Sequence, residues 1–484
     1  MNKKISKILI ANRGEIALRI IRACKELDIY SVVVHSEVDK EGVWVKKADH
    51  AVELEGHPVE VYLDYENIIN VAKELKCDAI HPGYGFLSEN ADFARACEEK
   101  GVIFIGPRAE HIELFGDKIA SKRAMKEIGV PVIEGTEDPI YDLDEAKRIA
   151  KEIEFPVIIK AAYGGGGRGM RIVNDEKDFK KLFEAATQEA KKFFGNGDVF
   201  IEKYVINPRH IEVQVIADKY GNVVHLGERD CSIQRRHQKV IEISPSPRLS
   251  AEVRKELYRI AQKAVYRLGY ESVGTVEFLV DEKDNIYFIE MNTRVQVEHP
   301  VTEVISGVDI IQRMIQLAAG DKLHFLQEEI SFSGYAIEFR INAEDPKNNF
   351  MPSFGTIDEY LTPGGPGVRL DTSVYSGYTI PPNYDSMIGK LIVSALDWEG
   401  AVRKAKRALD EYYIGGITTN IDLHKEIVRD EAFQKGEFDT SFLDHRVEKF
   451  ALLHTISPSE DKSISSFMAR LIQKGLTTVK GEFL

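Results

Sequence analysis

Hydrophobic and polar positions along the first part of the chain follow the pattern of strands separated by helices. Strand-like runs such as KILIAN, YSVVVHS and VIFIGP alternate with helical stretches such as RGEIALRIIRACKEL. Within that first helical stretch Ile16, Ile20 and Cys24 recur at helical spacing, which is typical of a helix packed on a sheet. The pattern predicts a doubly wound α/β domain over residues 1–115.

The loop HPGYGFLSEN follows one of these apolar strands directly. Sheets of this class usually bind ligands at the ends of their strands, so the loop is a candidate binding element. A plain turn is an equally good interpretation of this stretch taken alone.

The pattern changes from GDKIASKRAMKEIGVPV onward and becomes typical of antiparallel strands. HIEVQVIAD, VVHLGERD, VGTVEFLVD and NIYFIEMNTR alternate in polarity, and KYGN and EKDN provide hairpin turns. We predict a second domain over residues 116–330 and a mixed α+β domain over residues 331–447. A tail, 448–484, contains one short amphipathic piece, ISSFMARLIQKGL, which is more typical of a docking or packing helix than of a catalytic element.

The stretch AAYGGGGRGM contains five glycines in six positions. Its glycine spacing fits a dinucleotide fingerprint, but that fingerprint requires a strand before it and a helix after it. Here strand-like runs stand on both sides, FPVIIK before and MRIVND after, and no Lys-Ser or Lys-Thr follows at the P-loop offset. The context predicts a hairpin, either a bland flexible turn or a lid whose bare backbone closes over phosphates.

Oxygen donors cluster in TVEFLVDEKDNIYFIEMNTR. Strand alternation places Glu290 and Asn292 on one face, and the turn DEKDN can bring Glu277 on the neighbouring strand beside them. Such donors suit a hard cation such as Mg²⁺, which typically shares them with nucleotide phosphates. The alternative is that all three are surface residues of the strands.

The same alternation, continued through VQVEHP, predicts that Arg294, Gln296 and Glu298 share the face of Asn292. An arginine that can grip an anion would then lie near a candidate base. A second polar cluster, ERDCSIQRRHQK, is locally basic and suits anion capture. Nucleic-acid contact is the competing interpretation, but no aromatic stacking platform accompanies the cluster.

Composition narrows the function classes. The chain has 484 residues and a formal charge of −14, which argues against a general nucleic-acid or anionic-membrane surface. Its four cysteines are far apart and form no Cys-x-x-Cys pair, so neither a zinc site nor a disulfide framework is predicted. The start lacks a signal-peptide core and no run is long enough to span a membrane, so we expect a cytoplasmic protein.

The motifs together resemble those of biotin carboxylase, a member of the ATP-grasp superfamily. They occur in the family's order over residues 4–447, and the most specific are HPGYGFLSEN, AYGGGGRGM, ERDCSIQRRHQK, EMNTRVQVEHPVTE and RINAEDP. The resemblance implies an N-terminal doubly wound domain, an ATP-grasp domain whose mobile glycine-rich lid covers about residues 131–204, and a C-terminal mixed domain. The chain is similar to the biotin carboxylase subunits of split pyruvate, 2-oxo-acid or acyl-CoA carboxylases.

The resemblance also implies site residues. Those implied for ATP are Lys118, Lys160, Gly166, Gly167, Glu202, Lys203, Val205, His210, Gln234, His237 and Leu279. Those implied for bicarbonate are Lys239, Arg294, Gln296, the backbone of Val297, and Glu298 as the base. The implied ligands of Mg²⁺ or Mn²⁺ are Glu277, Glu290 and Asn292, and Arg340 would stabilise an enolate-like oxygen of biotin.

Biotin itself is expected on another polypeptide. This family attaches biotin to a lysine in a Met-Lys-Met hairpin, whereas Met125 and Lys126 lie on a predicted helix and Glu127 follows. The expected partners are therefore a biotin carboxyl carrier protein, a separate carboxyltransferase chain and a second copy of this chain. The two copies are expected to pair through the first and third regions, residues 1–115 and 331–447.

Three other functions compete with this interpretation. Another ATP-grasp ligase could make an acyl or carbamoyl phosphate, but RINAEDP belongs to biotin handling. An ATP-binding regulatory subunit without turnover would not need the intact set of Arg294, Glu298 and metal ligands. A dehydrogenase, suggested by the glycine spacing, would show a nicotinamide signal on titration, and we expect none.

Overall fold

The computed structural model describes residues 4–161, 170–194, 197–444, 446–447 and 449–450. The elements of its first region are β1 (Lys7–Ile10), α1 (Gly14–Glu26), β2 (Tyr30–His35), α2 (Val43–Lys47), β3 (His50–Glu53), α3 (Tyr65–Glu74), β4 (Ala79–His81), α4 (Ala91–Glu99), β5 (Ile103–Phe104) and α5 (Ala109–Gly116). The five strands form a parallel sheet of order β3-β2-β1-β4-β5.

Alternate residues of the central strands enter two separate cores. Ile8 and Ile10 belong to one hydrophobic cluster, and Leu9 between them belongs to another. The sheet is therefore covered on both faces, which is the arrangement of a doubly wound domain. The prediction from the alternating pattern is confirmed.

The lid region forms a small sheet of its own. Its elements, with the helix that precedes it, are α6 (Lys118–Glu127), α7 (Leu143–Ile153), β6 (Val157–Ala161), β7 (Met170–Val173), α8 (Glu176–Phe194) and β8 (Val199–Lys203). Strands β6 and β7 pair antiparallel, so the predicted hairpin is confirmed. The glycine turn at 162–169, with Gly166 and Gly167, lies outside the described residues.

The second region continues as a run of long antiparallel strands. Its remaining elements are β9 (Arg209–Ala217), β10 (Val223–Arg235), β11 (Gln238–Ser244), α9 (Ala251–Arg267), β12 (Ser272–Val280), β13 (Ile286–Asn292), α10 (His299–Ser306) and α11 (Ile310–Ala318). Leu257, Ile260 and Ala264 on α9 enter the core beneath β9 and β12.

The third region adds further strands to those of the second. Its elements are β14 (Tyr335–Asn342), β15 (Glu344–Asp345), β16 (Met351–Pro352), β17 (Gly355–Thr356), β18 (Tyr360–Leu361), β19 (Val368–Thr372), β20 (Thr379–Ile380), β21 (Met387–Ala395), α12 (Trp398–Glu411), β22 (Tyr413–Ile414), α13 (Ile421–Arg429) and α14 (Glu431–Gln434).

The second and third regions share one continuous sheet. It has eight strands in the order β13-β12-β9-β10-β11-β14-β21-β19. The junction is the antiparallel pair of β11 with β14, in which Glu242 lies opposite Glu338. The sheet therefore places residues of both regions along the same surface.

One local prediction is wrong. The strand that carries Glu290 ends at Asn292, and residues 293–298 form an irregular segment that leads into α10. Pro300 lies in the first turn of that helix, where a missing N–H costs nothing. Arg294, Gln296 and Glu298 therefore do not share a strand face, although all three reach the same cleft.

Within the part of the chain that the structure describes, no helix combines the length and apolar character needed to cross a bilayer.

Candidate active site

A cleft of about 720 Å³ lies between the small sheet of the lid region, the large sheet and the segment 293–298. The sequence-predicted residues that line it are Lys118, Lys160, Lys203, Val205, His210, Gln234, His237, Lys239, Glu277, Leu279, Glu290, Asn292, Arg294, Gln296, Val297, Glu298 and Arg340. Residues from distant parts of the sequence thus converge on one space, which is large enough for a small-molecule substrate.

Glu202 is the described candidate that does not line this cleft. It lies behind Lys160, to which it is ion-paired, and its other oxygen lies 3.0 Å from the Lys122 Nζ. Burial raises the pKa of the Glu202 carboxyl, but the charges of Lys160 and Lys122 outweigh burial and lower it to about 2. The carboxylate is therefore ionised and holds two lysines at the lid end of the cleft.

The register of the large sheet brings three acidic residues side by side. Glu277 on β12 lies opposite Glu290 on β13 and opposite Glu212 on β9, and the β12–β13 register skips Ile289, the residue just before Glu290. A bulge at such a position turns the strand and directs side chains toward a site. The prediction that Glu277 lies beside Glu290 and Asn292 is confirmed.

Hydrogen bonds fix the Glu277 carboxylate from several directions. One oxygen accepts from Asn292 Nδ2 at 2.6 Å and from Gln296 Nε2 at 2.7 Å. The other lies 2.7 Å from His210 Nε2, and the Nδ1 of that ring lies 2.8 Å from Gln234 Nε2. The His210 ring therefore links a proposed metal ligand to the β10–β11 hairpin.

The pKa values of Glu277 and Glu290 are shifted in opposite directions, although the two residues are paired across adjacent strands. Burial raises the pKa of both carboxyls; at Glu277 the charges of Lys239 and His210 reverse this and lower the pKa below its usual range. At Glu290 burial and the negative charge of Glu277 together keep the pKa raised. A divalent cation would relieve that repulsion, so the paired carboxylates and the Asn292 amide fit a hard cation such as Mg²⁺.

Lys239 stands at the centre of the acidic residues. Its Nζ lies 2.7 Å from Glu298 Oε1 and 3.2 Å from Glu277 Oε1, and it is also ion-paired with Glu212. Burial lowers the pKa of the Lys239 amine, but the surrounding carboxylates outweigh burial and raise it. Lys239 is therefore charged at neutral pH and keeps three buried carboxylates close together.

Glu298 occupies the position just before α10 and is 2% exposed. Its second oxygen accepts from Arg340 Nη2 at 2.9 Å. Burial raises the pKa of the Glu298 carboxyl, but Lys239 and Arg340 lower it well below its usual range. The carboxylate is thus ionised and can accept a proton from a ligand in the cleft.

Arg340 and Arg294 approach the cleft from opposite regions. Arg340 on β14 is held by Glu298 and by Glu242 on β11. Arg294 donates to Asn292 Oδ1 at 2.7 Å and to Glu89 Oε2 at 2.9 Å. Glu89 belongs to the loop HPGYGFLSEN, so this loop reaches the site, as the sequence suggested for it.

Sequence reasoning missed the buried residues behind the cleft. Arg229, on β10, is fully buried and donates to Glu212, to Gln214 Oε1 at 2.7 Å and to Gln296. The sequence does contain a signal for them. Glu212 in HIEVQV and Arg229 in GERD are charged residues on strands that are otherwise apolar, and buried charges of this kind are almost always paired.

Comparison with protein-family models gives three matches along the chain. The biotin carboxylase N-terminal domain matches residues 4–112, and the biotin carboxylase C-terminal domain matches residues 338–445. Between them, residues 117–326 match the ATP-binding domain of the carbamoyl-phosphate synthase L chain.

Similar curated proteins extend over nearly the whole chain. The 2-oxoglutarate carboxylase small subunit of Hydrogenobacter thermophilus is 54% identical over 444 residues, 92% of this chain and 94% of that protein. A pyruvate carboxylase subunit of Methanothermobacter thermautotrophicus is 53% identical over 440 residues, 91% of this chain and 89% of that protein.

Solved structures agree in fold. The biotin carboxylase domain dimer of Hydrogenobacter thermophilus 2-oxoglutarate carboxylase, in complex with MgADP, ADP and bicarbonate, has a TM-score of 0.88 at 53% identity. That match covers 92% of this chain and 98% of the other. Biotin carboxylase from Campylobacter jejuni has a TM-score of 0.87 at 49% identity, covering 91% of this chain and 99% of that one.

The chain belongs to the biotin carboxylase family and has the three-part fold of that family. The resemblance that the sequence motifs carry is thereby confirmed. The chain is an ATP-dependent ligase of the biotin carboxylase type.

Proposed function

We propose that this chain carboxylates biotin held on a separate carrier protein, with bicarbonate as the carboxyl source and ATP as the energy source. The observation that carries the proposal is the contact of Lys239 and Arg340 with opposite oxygens of Glu298. An ionised base between two fixed cations suits a site that binds a small anion and then removes its proton.

The first half of the proposed reaction uses bicarbonate. Lys239, Arg294, Gln296 and the Val297 N–H bind the anion, and Glu298 takes its proton. The bicarbonate oxygen forms a bond to the γ-phosphorus of ATP while the bond to the β-phosphate oxygen breaks, which gives carboxyphosphate and ADP. Catalysis of such a transfer consists mostly of positioning and charge neutralisation.

The second half uses biotin. Carboxyphosphate breaks into CO₂ and phosphate, and the phosphate takes the proton of the ureido nitrogen. The nitrogen then forms a bond to the CO₂ carbon, which yields carboxybiotin. We assign Arg340 to the ureido oxygen, whose negative charge grows as the proton leaves.

We assign the lid end of the cleft to the nucleotide. Lys118 and Lys160 neutralise the phosphates, to which Gly166 and Gly167 donate backbone N–H groups. The backbone of Lys203 and Val205 contacts the adenine, and the other contacts with the nucleoside come from His210, Gln234, His237 and Leu279. Glu202, which the resemblance also assigns to the nucleotide, acts through Lys160, the lysine to which it is ion-paired. Support comes from the cleft, where Lys118 Nζ lies 3.7 Å from Glu290 Oε2.

Glu277, Glu290 and Asn292 are the residues that would hold Mg²⁺, or Mn²⁺ in its place. The bound cation would supply charge neutralisation at the phosphates. Glu277 is already held by Asn292 and Gln296, so its carboxylate would be in place for the cation before the cation binds.

We divide the chain into an N-terminal domain over 1–115, an ATP-grasp domain over 116–330 with its lid at about 131–204, a C-terminal domain over 331–447 and a tail over 448–484. The proposed assembly is a homodimer that works with a biotin carboxyl carrier protein and the carboxyltransferase of a pyruvate, 2-oxo-acid or acyl-CoA carboxylase. Four buried free cysteines support a cytoplasmic location.

The test is release of ADP by the purified chain with Mg²⁺ and free biotin, measured with and without added bicarbonate, together with carboxybiotin formed. We expect both products to depend on bicarbonate. Equal ADP release in bicarbonate-depleted buffer would contradict the proposed function.

A further inference from the structure

The irregular segment before α10 is held by two buried donors outside the cleft. The Nδ1 of His299 lies 2.7 Å from the carbonyl oxygen of Gln296, which also accepts a longer hydrogen bond, 3.3 Å, from the backbone N–H of His299. The Nζ of Lys390, on β21, donates to the carbonyl oxygen of Val297 at 2.8 Å. Two successive peptide groups are therefore fixed from behind, although the segment has no regular secondary structure.

Because the peptide bond is planar, a hydrogen bond that holds the Gln296 carbonyl also fixes the direction of the Val297 N–H. The carbonyl of Gln296 shares a peptide plane with the N–H of Val297, and in a trans peptide the two point in opposite directions. Because His299 holds the carbonyl, the N–H of Val297 points away from His299. Val297 lines the cleft, and its N–H has no acceptor among the described residues.

His299 is suited to this support because its ring is fully buried. Burial, with the charges of Lys390 and Arg19, lowers the pKa of the ring well below its usual value. A neutral ring next to a carbonyl carries its proton on Nδ1, since the carbonyl can only accept. His299 is thereby a permanent donor to Gln296 throughout the neutral pH range.

Lys390 is anchored on its other side by the first region of the chain. Its side chain is fully buried, and Nζ lies 3.1 Å from Glu15 Oε1 on α1. The same oxygen of Glu15 accepts from the hydroxyl of Tyr84 in the loop HPGYGFLSEN. The donor to Val297 is therefore fixed by a buried ion pair, which is costly to break.

We propose that His299 and Lys390 are positioning residues of the bicarbonate subsite: His299 aims the Val297 N–H, and Lys390 holds the carbonyl on the other side of Val297, in the peptide plane of the Glu298 N–H. The inference rests on the proposed function, because the bicarbonate subsite is itself part of that proposal. It adds which residues keep the subsite rigid. Neither residue touches the reacting atoms. Their loss is expected to weaken bicarbonate binding while ATP binding stays intact, because the nucleotide contacts lie elsewhere in the cleft.

The main test compares His299→Leu with His299→Asn. The amide of asparagine can place a donor where Nδ1 stands, whereas leucine removes the donor at similar volume. We expect His299→Leu to raise the KM for bicarbonate roughly 10–100-fold, the usual effect of losing a hydrogen bond to a charged group. The KM for ATP should change by less than about threefold, and His299→Asn should restore most of the bicarbonate KM.

A second pair of variants keeps the test decisive if His299→Leu does not fold. Lys390→Met leaves Glu15 buried without its cation, so it is combined with Glu15→Gln, which removes the unpaired charge. The double variant should melt within a few degrees of the native enzyme and still show the raised KM for bicarbonate. A folded His299→Leu or double variant with a native KM for bicarbonate would overturn the inference.

The two proposals fail in different ways. Native enzyme that releases ADP without bicarbonate contradicts the proposed function itself. Native enzyme that needs bicarbonate, with variants of unchanged bicarbonate KM, contradicts only the positioning role.

Discussion

Arg340 donates from Nη2 to Glu298 Oε2 at 2.9 Å, so the arginine assigned to biotin and the base assigned to bicarbonate are direct neighbours. The opposite oxygen of Glu298 lies 2.7 Å from Lys239. Removal of Arg340 therefore leaves Glu298 with one cation and does not isolate it. Because Glu298 keeps its contact with Lys239, a mutation of Arg340 can impair the biotin half of the proposed reaction and leave the bicarbonate half working.

Arg340→Gln is expected to uncouple ATP cleavage from carboxylation. The rate of carboxybiotin formation should fall by about 10²–10³-fold, the typical effect of removing a preorganised donor to a developing charge. Bicarbonate-dependent ADP release should fall much less, because Lys239 still holds Glu298. Parallel assays of ADP and carboxybiotin measure the ratio, and equal loss of both would contradict the assignment.

Arg294→Gln and Glu298→Gln serve as the matched controls. Both residues act before phosphoryl transfer in the proposed sequence of events, so each variant should lose ADP release and carboxybiotin together. A variant of either residue with selective loss of carboxybiotin would place it in the biotin half instead.

Lys239→Gln is expected to move the acidic limb of the pH–rate profile to higher pH. Burial raises the pKa of Glu298, and the charges of Lys239 and Arg340 reverse this. Without the lysine the carboxyl is protonated at a higher pH, and the base is lost as pH falls through that value. Measuring kcat/KM for bicarbonate across the acidic and neutral pH range tests this, with the exposed Lys283→Gln as control.

Glu290→Gln is expected to raise the Mg²⁺ concentration needed for half-maximal ADP release by at least about tenfold, the lower range for losing a group that supports a metal. Its melting temperature should not fall, because the variant also removes the repulsion that raises the pKa of Glu290. Glu282→Gln, an exposed position on the turn of the same hairpin, is the control. An unchanged Mg²⁺ requirement would show that Glu290 is not a ligand.

Glu338→Gln is expected to stabilise the protein at alkaline pH. Both carboxyl oxygens of Glu338 are buried without a hydrogen-bond partner among the described residues, and burial with the charge of Glu242 raises its pKa well above the usual value. Above the ordinary pKa the unfolded chain releases a proton that the folded chain retains, so stability falls as pH rises.

A neutral glutamine removes that linkage. The melting temperature of Glu338→Gln minus that of the native enzyme should be larger at about pH 8 than at about pH 5. The increase should be about 1–3 °C, the shift that ~1 kcal/mol produces in a large domain. Thermal melts at both pH values measure it. A difference that does not vary with pH would mean that Glu338 is ionised in the fold.

The sequence predicted those parts of the site that depend on local periodicity. Glu277 lies opposite Glu290 because two alternating strands flank a short turn, and both features were visible in the sequence. The predicted strand continues too far, because the alternation of polar and apolar residues runs past Asn292 although the chain there turns toward α10. Pro300, which favours the first turn of a helix, marked that boundary.

The supporting residues could not be predicted, because their roles depend on tertiary contacts. Lys390 and Glu15 lie far apart in the sequence and meet only because β21 packs against α1. Each looks locally like a polar residue on the solvent face of its element. Their burial becomes evident only when the third region closes against the first.

The pairing of β11 with β14 limits how this enzyme can be cut into pieces. A fragment that ends near residue 330 would expose the backbone donors and acceptors of β11, and the complementary fragment would expose those of β14. Open sheet edges recruit other chains, so both fragments would tend to aggregate. The lid sheet of β6, β7 and β8 is hydrogen-bonded separately, so it is the part that a gene fusion or domain exchange could replace as a unit.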